Sequence, residues 1–321
     1  MNPIAKLGNY DIYEKLGEGG LAKVFLARDS RPNADRRFIA LKCLSKEAEA
    51  MPHTNASFFN EIKLLENLSH PNLLHGEESG LDQGVHYFVT EFIDGQDLRA
   101  VNHRIQKGAS IISLIPFVIS EILRGLAYLH DINEPKLKNI LHNDLTPGNI
   151  FLGYEGEVKI LDFGAATFKG QKAVTLDDNA VLGTLSYLAP EKLMGKTTDY
   201  TADLYAVGIL LYELAFGAPP YRHREGESDM DVLNRIVQGR YEPLQNHNKP
   251  IPDTILSTIE TAMHLKPKKR FKNAQEMALN LGIDLSIPVN KETQNRRRFL
   301  LGSAVKSLFP REYEQTAQRR Q

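Results

Sequence analysis

Three side chains with oxygen donors lie on two short motifs in the middle of the chain. Residues 141–150 read LHNDLTPGNI and residues 160–164 read ILDFG, which places Asp144, Asn149 and Asp162 on loops beside short apolar segments. Carboxylate and amide oxygens suit Mg²⁺, a hard cation that proteins bind through one or two such groups together with substrate phosphates. Phosphoryl transfer also needs a residue that orients the attacking hydroxyl. Two Asx-capped turns would explain either motif alone equally well.

A glycine cluster near the start of the chain is a second candidate. Residues 16–24 read LGEGGLAKV, with Gly17, Gly19 and Gly20 between two β-forming segments. Glycine lets backbone N–H groups approach an anion closely because no Cβ intervenes. A tight hairpin turn is the commoner reason for such a cluster, and the segment lacks the GxxxxGK[ST] pattern of a P-loop.

Lys42 stands inside an apolar segment, FIALKCL, at residues 38–44. Most lysines in strands face solvent. A lysine that points into a cleft needs a carboxylate, because an unpaired buried charge is costly. The candidate partner is Glu61, at the edge of the apolar face of a helix that we predict over residues 57–68, with Ser57 as its N-cap.

The order of the predicted elements indicates an α+β protein of two lobes. The predicted strands are residues 10–16, 23–28, 38–44, 85–93, 150–152 and 158–161. The predicted helices are residues 57–68, 111–130, 202–216, 229–238, 255–265 and 274–281. We expect the strand-rich and helix-rich lobes to join near Asp94 and Gly95. A cleft between two lobes is the usual place for a ligand.

The composition restricts the class of protein. The 321 residues include 39 Lys+Arg and 40 Asp+Glu, a net charge of -1 that argues against a general nucleic-acid binder. The single Cys43 cannot form an intrachain disulfide and fits a reducing compartment. The longest apolar stretch, residues 111–119, is far shorter than the roughly 20 residues of a membrane span. We therefore expect a cytoplasmic protein with no membrane span and no nucleic-acid partner.

Taken together and in order, these motifs resemble the eukaryotic-type protein kinase family over about residues 10–283. The matching landmarks are Gly17-x-Gly19 with Val24, Ala40-Leu41-Lys42, Glu61, HPNL at residues 70–73, HxDxxxxN at 142–149, DFG at 162–164, APE at 189–191, Asp203 with Gly208, and Arg270. The strings GTLSYLAPE and DLYAVGILLYEL are similar to the Ser/Thr branch, in particular its bacterial members. The resemblance implies a bilobal protein-kinase-like fold. Its small β-rich N-lobe with one helix covers about residues 10–93, and its larger, mostly helical C-lobe about residues 94–283.

The resemblance also implies an activity, which is transfer of the ATP γ-phosphoryl group to Ser/Thr hydroxyls of protein substrates, including autophosphorylation. Asp144 is then expected to orient the attacking hydroxyl, and Lys42, held by Glu61, to bind the α/β-phosphates. The fourth expected catalytic position is Thr146. The expected ATP-binding residues are Leu16, Gly17, Glu18, Gly19, Gly20, Val24, Ala40, Lys42, Thr90, Glu91, Ile93 and Leu152.

Other residues have implied roles that are not catalytic. Asn149 and Asp162 are expected to bind Mg²⁺, or Mn²⁺ in its place. Glu191 and Arg270 are expected to form a structural ion pair. Leu65, His142 and Phe163 are expected to stack as an apolar column between the lobes, which Asp203 anchors.

Two positions depart from the family pattern. His142-Asn143-Asp144 replaces the usual HRD, whose arginine normally binds an activation-loop phosphate, so a phosphorylation switch within residues 165–189 is in doubt. The candidate phosphosites there are Thr167, Thr175, Thr184 and Ser186. Thr146 replaces a lysine near the γ-phosphate, and losing one such donor costs roughly 10²–10³ in rate unless another donor compensates. We expect a slower or differently wired kinase.

Two alternatives stay open. The first is a small-molecule kinase, because HNDLTPGN is also similar to the loop of choline and aminoglycoside kinases, although those families lack the DFG glycine and the APE segment. The second is a pseudokinase that acts as a scaffold. Asn143 and Thr146 favour the pseudokinase, whereas the presence of Lys42, Asp144 and Asp162 opposes it.

Residues 284–321 lie beyond the resemblance. They carry eight Lys/Arg against four Asp/Glu, so the near-neutral total conceals a basic tail. We predict a short amphipathic helix there, whose apolar face comprises Phe299, Leu300, Val305, Leu308 and Phe309. An ordinary helix packed on the C-lobe or an unstructured end would explain the segment. The functional hypothesis is docking to an anionic partner or a membrane surface.

Overall fold

The computed structural model describes residues 2–18, 22–35, 37–45, 52–105, 112–134, 137–168, 185–242, 244 and 251–320. The chain forms two compact units. The first unit comprises Met1–Asp94, Asp162–Gly164 and Glu314–Gln321, and the second comprises Gly95–Leu161 and Ala165–Tyr313. The boundary between Asp94 and Gly95 separates a β-rich unit from a mostly helical one.

The first unit is built on a six-stranded antiparallel sheet in the order β1-β2-β3-β4-β6-β5. The strands are β1 (Ala5–Leu7), β2 (Tyr10–Glu18), β3 (Ala22–Asp29), β4 (Phe38–Leu44), β5 (Gly76–Asp82) and β6 (Val85–Glu91), and the helix between β4 and β5 is α1 (Pro52–Leu65). Each neighbouring pair is antiparallel. Short connections join every neighbouring pair except β4 and β6, which are separated in sequence by α1 and β5.

Alternation along β4 sorts the core from the opposite face of the sheet. Ile39, Leu41 and Cys43 are buried in an apolar cluster with residues of β1, β2, β3 and β6. Successive side chains in a strand point to opposite faces, so Ala40 and Lys42 share the other face. The period of two in FIALKCL therefore decides that the lysine does not enter the core.

The second unit is mostly helical. Its helices are α2 (Leu98–Ile105), α3 (Ile115–Asp131), α4 (Pro190–Leu193), α5 (Thr201–Phe216), α6 (Asp229–Gln238), α7 (Asp253–Ala262), α8 (Ala274–Asn280) and α9 (Lys291–Leu308), and α10 (Pro310–Arg320) begins there and ends in the first unit. Its short strands are β7 (Gly95–Asp97), β8 (Asn133–Glu134), β9 (Leu137–Lys138), β10 (Ile140–Leu141), β11 (Ile150–Gly153), β12 (Val158–Ile160) and β13 (Thr167–Phe168). Helix α5 is buried along its length except at Phe216, as its nearly unbroken apolar sequence predicts.

The predicted α+β fold, with a strand-rich lobe followed by a helix-rich lobe, is confirmed. The predicted start of α1 is wrong, because the helix begins at Pro52 and Ser57 lies inside it instead of capping it. Proline is well suited to the first helical position, where its missing N–H costs nothing. Among the described residues, no helix is long and apolar enough to cross a membrane.

The tail forms two helices, α9 and α10, and the predicted apolar face is partly wrong. Leu301, Val305 and Phe309 are buried, whereas Phe299 and Leu300 are 71% and 47% exposed. Helix α9 packs on the turn between β11 and β12, where a Cβ built on Gly302 would lie 2.4 Å from the carbonyl oxygen of Tyr154. Only glycine permits so close an approach.

Candidate active site

The register of the first unit's sheet aligns the residues that the sequence singled out. Gly17 pairs with Val24, and Val24 pairs in turn with Lys42 across β3 and β4. Ala40 pairs with Thr90 on β6. Directly opposed residues lie about 5 Å apart, so glycine, valine and lysine form one row and alanine and threonine another.

Lys42 and Glu61 form an ion pair, with Nζ and Oε2 2.6 Å apart. The Glu61 side chain is 5% exposed and that of Lys42 is 23% exposed. Burial alone would lower the pKa of Lys42, but the charges of Glu61 and Asp162 outweigh it and raise that pKa. The ammonium group is therefore held charged between two carboxylates.

Asp162 and Gly164 are tied to the helix that carries Glu61. The Oγ of Ser57 donates to the carbonyl oxygen of Gly164 at 2.9 Å, and the amide of Gly164 donates to Oδ1 of Asp162 at 3.1 Å. Asp162 has a φ of 60°, a left-handed conformation uncommon for residues other than glycine. Ser57, which was expected to cap the helix, instead hydrogen-bonds the DFG segment.

The remaining ATP-site positions of the first unit lie on its strands and on the segment after β6. Leu16 and Glu18 are exposed or half-exposed on β2, where Glu18 pairs with Lys15 and Lys23. Thr90 is buried, and the Glu91 carboxylate accepts the amide of His75. Ile93 follows β6 and is partly buried. Gly19 and Gly20 lie outside the described residues, as do Thr175 and Thr184.

In the second unit, Asp144 and Asn149 face each other across one turn of the HNDLTPGN loop. Nδ2 of Asn149 donates to the carbonyl oxygen of Asp144 at 2.8 Å and to its Oδ2 at 3.0 Å. The turn closes because Pro147–Asn149 form a 3₁₀ helix. Since the amide nitrogen is used to fix Asp144, the amide oxygen of Asn149 is the atom suited to a cation.

Asp203, at the start of α5, anchors the backbone of the HNDLTPGN loop. Its Oδ2 accepts Nε2 of His130 and the amide of His142, and its Oδ1 accepts the amide of Asn143, each at 2.9 Å. Burial alone would raise the pKa of Asp203, but the His130 contact and the other donors outweigh it and lower that pKa. A charged, fully buried carboxylate therefore fixes the backbone next to Asp144.

Asn143 links this loop to the segment after DFG without any charge. Its Nδ2 donates to Oγ1 of Thr167 at 2.8 Å and to the carbonyl oxygen of Ala165 at 3.2 Å. Its φ is 66°, so it is a second non-glycine residue in the left-handed region. The amide makes neutral contacts where the family arginine would bind a phosphate.

Lys192 is a site residue that the sequence reasoning missed. Its Nζ donates to the carbonyl oxygen of Asn143 at 2.8 Å, and burial lowers its pKa, opposed by the charges of Asp203 and Asp144. Its position directly after APE was the available signal. Lys192 supports the backbone that carries Asp144 and is a positioning residue.

Thr146 and Leu152 flank the loop in the second unit. Thr146 is 5% exposed and directly precedes the 3₁₀ helix. Leu152 is fully buried on β11, opposite Gln96 of β7. A Cβ on Gly95 would lie 2.1 Å from the carbonyl oxygen of Leu152, so glycine at position 95 lets β7 pair with β11.

Glu191 and Arg270 form the expected structural pair. Nη1 and Nη2 of Arg270 donate to the two carboxylate oxygens of Glu191 at 2.6 and 2.7 Å. The arginine also donates to the carbonyl oxygens of His264 and Thr201. This fork-to-fork arrangement satisfies both charges inside the unit.

Comparison with known proteins identifies the class to which this arrangement belongs. The sequence pattern of the protein kinase domain matches residues 10–280. The chain belongs to this family, and the family prediction made from the motifs is confirmed.

The chain is similar to several curated bacterial kinases. It is 32% identical over 272 residues to a probable serine/threonine-protein kinase of Clostridium perfringens. This match covers 84% of this chain and 38% of that protein. It is 30% identical over 275 residues to the tyrosine-protein kinase MasK of Myxococcus xanthus, covering 84% and 42%. It is 27% identical over 297 residues to the serine/threonine-protein kinase PrkC of Bacillus subtilis, covering 92% and 42%. The chain thus spans about two fifths of the length of these relatives.

Proposed function

We propose that this chain is an ATP-dependent serine/threonine protein kinase. The observation that carries the proposal is the buried Lys42–Glu61 pair with Asp162 beside it, at 2.6 Å between Nζ and Oε2. A cation held by one carboxylate next to a second one is the arrangement that phosphoryl transfer from a nucleotide requires. Protein substrates and autophosphorylation follow from the family.

Each half of the reaction has its own residues. Lys42 binds the α- and β-phosphates, and the glycines at 17, 19 and 20 cover them with backbone N–H groups. Asp144, fixed by Asn149, accepts the hydrogen bond of the attacking hydroxyl and orients it. The residues proposed to bind adenine are Val24 and Ala40 of the first unit and Leu152 of the second, with the backbone of residues 91–93 as the proposed hydrogen-bond partner. Leu16, Glu18 and Thr90 complete the proposed ATP-binding set.

Asp162 and Asn149 are the proposed metal ligands. One carboxylate and one amide oxygen suit a hard divalent cation that keeps waters and substrate phosphates in its remaining positions, which favours Mg²⁺, with Mn²⁺ as a substitute. When bound, the metal neutralises charge on the phosphates. The protein's own contribution is to hold the two oxygen donors, Asp162 through Gly164 and Asn149 through Asp144.

The test is incubation of the purified chain with Mg-ATP, followed by measurement of incorporated phosphate by mass. Wild type should incorporate phosphate, and Asp144→Asn should lose the activity. Equal incorporation by the two proteins would refute the assignment of Asp144. Phosphoamino-acid analysis should give phosphoserine and phosphothreonine. Phosphotyrosine alone would instead give this chain the specificity named for MasK.

A catalytically weak scaffold is the second candidate, because two positions favour it. Thr146 is neutral where the family carries a lysine, and Asn143 binds Thr167 without charge. A scaffold would bind ATP without transferring phosphate. Calorimetric titration with Mg-ATP beside the incorporation assay distinguishes the two, since a kinase gives both signals.

We infer that the kinase domain acts in the cytoplasm, where ATP is supplied and an unpaired cysteine stays reduced. Cys43 is buried at 7% exposure, and burial raises its pKa to about 11. Cell fractionation with an antibody against the chain tests the location, and recovery only outside the cytoplasmic fraction would refute it.

We also propose that helix α9 docks on an anionic lipid surface. Arg298 and Lys306 pair with Glu157 and Glu155, which leaves Arg296 as an exposed cation beside the exposed Phe299 and Leu300. Basic residues beside apolar ones on one helix face are typical of interfacial helices.

Liposome sedimentation with phosphatidylserine vesicles tests this docking. A variant of the whole 321-residue chain with Arg296→Ala, Phe299→Ser and Leu300→Ser should bind less than wild type, and Lys268→Ala serves as a charge-matched control. Equal binding by variant and wild type would refute the lipid proposal, and an acidic protein partner would then be the remaining hypothesis for the tail.

A further inference from the structure

Arg99 lies on helix α2, directly beside the catalytic loop. Oδ1 of Asp97 accepts the amide of Ala100 at 2.7 Å and caps the helix. Leu98 and Val101 are fully buried, so the helix is fixed on the unit, and Arg99 is exposed on the other side. A rigid helix therefore carries an arginine whose side chain is free to meet a ligand.

The guanidinium group occupies the space that a side chain at position 148 would fill. A Cβ built on Gly148 would lie 2.6 Å from Nη2 of Arg99 and 3.7 Å from Oγ1 of Thr146. Gly148 is the residue between Pro147 and Asn149 of the loop. The absence of a side chain at 148 thus lets the arginine reach the catalytic loop next to the neutral Thr146.

Arg99 forms no ion pair with a carboxylate of the described residues. Its positive charge acts on Tyr187 and Glu213, whose side chains are hydrogen-bonded to each other at 2.6 Å. Burial raises the pKa of Glu213, while the Tyr187 hydrogen bond and the positive charge of Arg99 oppose that rise. The guanidinium therefore lies next to Gly148 of the catalytic loop, and no described residue accepts a hydrogen bond from it.

We propose that Arg99 is a catalytic residue that supplies the positive charge missing at Thr146, by binding the phosphoryl group as it is transferred. The inference rests on the proposed kinase function. In the step, the substrate hydroxyl oxygen forms a bond to the γ-phosphorus, and the bond from that phosphorus to the β,γ-bridging oxygen breaks. ADP leaves with the electron pair, and the hydroxyl proton passes through the hydrogen bond to Asp144 and then to solvent. A guanidinium matches the phosphoryl oxygens in geometry and remains charged.

Lys192 is the other cation close to the loop, and its contacts assign it a different task. Its Nζ already donates to the carbonyl oxygen of Asn143, and its side chain is half-buried. Arg99 is exposed and approaches the loop at Gly148. The arginine is thus the group placed to contact a ligand.

A set of variants in the full chain tests the proposal by steady-state phosphorylation of a Ser/Thr peptide library. Arg99→Ala should lower kcat by about 10²-fold with the KM for ATP nearly unchanged, because the contact strengthens in the transition state. Arg99→Lys should keep part of the rate. Adding Thr146→Lys to Arg99→Ala should restore at least tenfold. Arg240→Ala, an exposed arginine elsewhere in the unit, should match wild type.

Binding supplies a readout independent of turnover. Arg99→Ala should bind Mg-ADP like wild type but bind Mg-ADP with aluminium fluoride, a mimic of the transferred phosphoryl group, about tenfold more weakly. Gly148→Ala keeps the arginine and displaces its guanidinium, so it should lower kcat in wild type but have no further effect in the Arg99→Ala background. This coupling would not be seen if either variant were merely misfolded.

The outcomes separate the two proposals. If wild type is no more active than Asp144→Asn, the kinase function and the role of Arg99 fail together. If wild type is active and Arg99→Ala is within twofold of it, or Thr146→Lys gives no recovery, only the role of Arg99 is refuted. A change confined to the KM of acidic peptides would also refute it, by assigning Arg99 to recognition of substrate side chains.

Discussion

Two ion pairs, Lys42–Glu61 in the first unit and Glu191–Arg270 in the second, differ in how many hydrogen-bond donors they leave available. Lys42 makes one close contact to Glu61, keeps 23% of its side chain exposed and has Asp162 nearby. Arg270 makes two contacts to Glu191, and its side chain is fully buried. The first pair retains donors and exposure that a ligand can use, whereas in the second the arginine makes four hydrogen bonds inside the protein. The same chemistry is thus left accessible to a ligand in one unit and enclosed within the protein in the other.

The largest expected effect on stability comes from breaking the buried Glu191–Arg270 pair. Arg270→Ala should lower the free energy of unfolding by about 3–5 kcal/mol, because it leaves the Glu191 carboxylate buried without a partner. Denaturant unfolding followed by circular dichroism measures this. Arg270→Lys should recover only part of the loss, since an ammonium group cannot make the two-pronged contact. Stability unchanged in both variants would contradict the structural role.

Breaking the Lys42–Glu61 pair should have the opposite pattern, with a larger loss of activity and a smaller loss of stability than Arg270→Ala. Lys42→Met should reduce phosphate transfer by roughly 10²–10³-fold, the usual cost of losing a preorganised charge at a reacting group. The free energy of unfolding should fall by less than in Arg270→Ala, because the remaining Glu61 can take up a proton. The incorporation assay and denaturant unfolding, run on the same preparations, check both. A larger loss of stability than of activity would remove the distinction between the pairs.

Sequence reasoning anticipated the part of the molecule that depends on short-range periodicity and motif order. Strand β4 and helix α6 have the predicted bounds, because alternation in FIALKCL and periodicity with a capping serine are local signals. The Lys42–Glu61 pair was predicted because the order of the motifs implied it. Neither result needs knowledge of distant contacts.

What the sequence did not reveal depends on contacts made far along the chain. Strand β5, GEESGLD, has a composition typical of a loop, yet glycine is required because a Cβ at Gly76 or Gly80 would clash with the rings of Phe88 and Tyr87. Arg99 has no fixed spacing from the catalytic loop, so only the docking of α2 reveals its contact. Leu301 was missed as a buried residue of the tail. Phe299 and Leu300 were wrongly grouped with the buried Val305 and Phe309 because they are equally apolar.

Asp203 is a third buried charge to compare with the two ion pairs, and its carboxylate accepts hydrogen bonds from two backbone amides and a histidine. Its folded-state pKa is lowered, so its stabilisation is complete above the unfolded value near 3.8 and is lost as the pH falls through the folded value. Asp203→Asn should cost about 2 kcal/mol at neutral pH, and the difference from wild type should shrink as the pH falls below about 3.8. Urea unfolding between pH 7 and pH 3 measures this, and a constant difference would contradict it.

The smallest expected effect concerns Cys43, which lies next to Lys42 but on the core face of β4. It is 7% exposed, and burial raises its pKa to about 11, so it should react with a thiol reagent far more slowly than a free thiol at pH 8. Labelling in native buffer and in denaturant gives the comparison. Rapid native labelling would mean that this face of β4 opens more readily than its burial indicates.

The close packing of Gly302 on Tyr154 has a practical consequence for anyone trimming the chain. The kinase family match stops at residue 280, but helix α9 covers the turn after β11, the strand that carries Leu152. A fragment ending at residue 283 would lose that cover together with the buried Leu301 and Val305. Such a fragment would have the family's motifs but expose to water the turn after β11 that α9 covers, so an inactive short fragment would say nothing about the activity of the 321-residue chain.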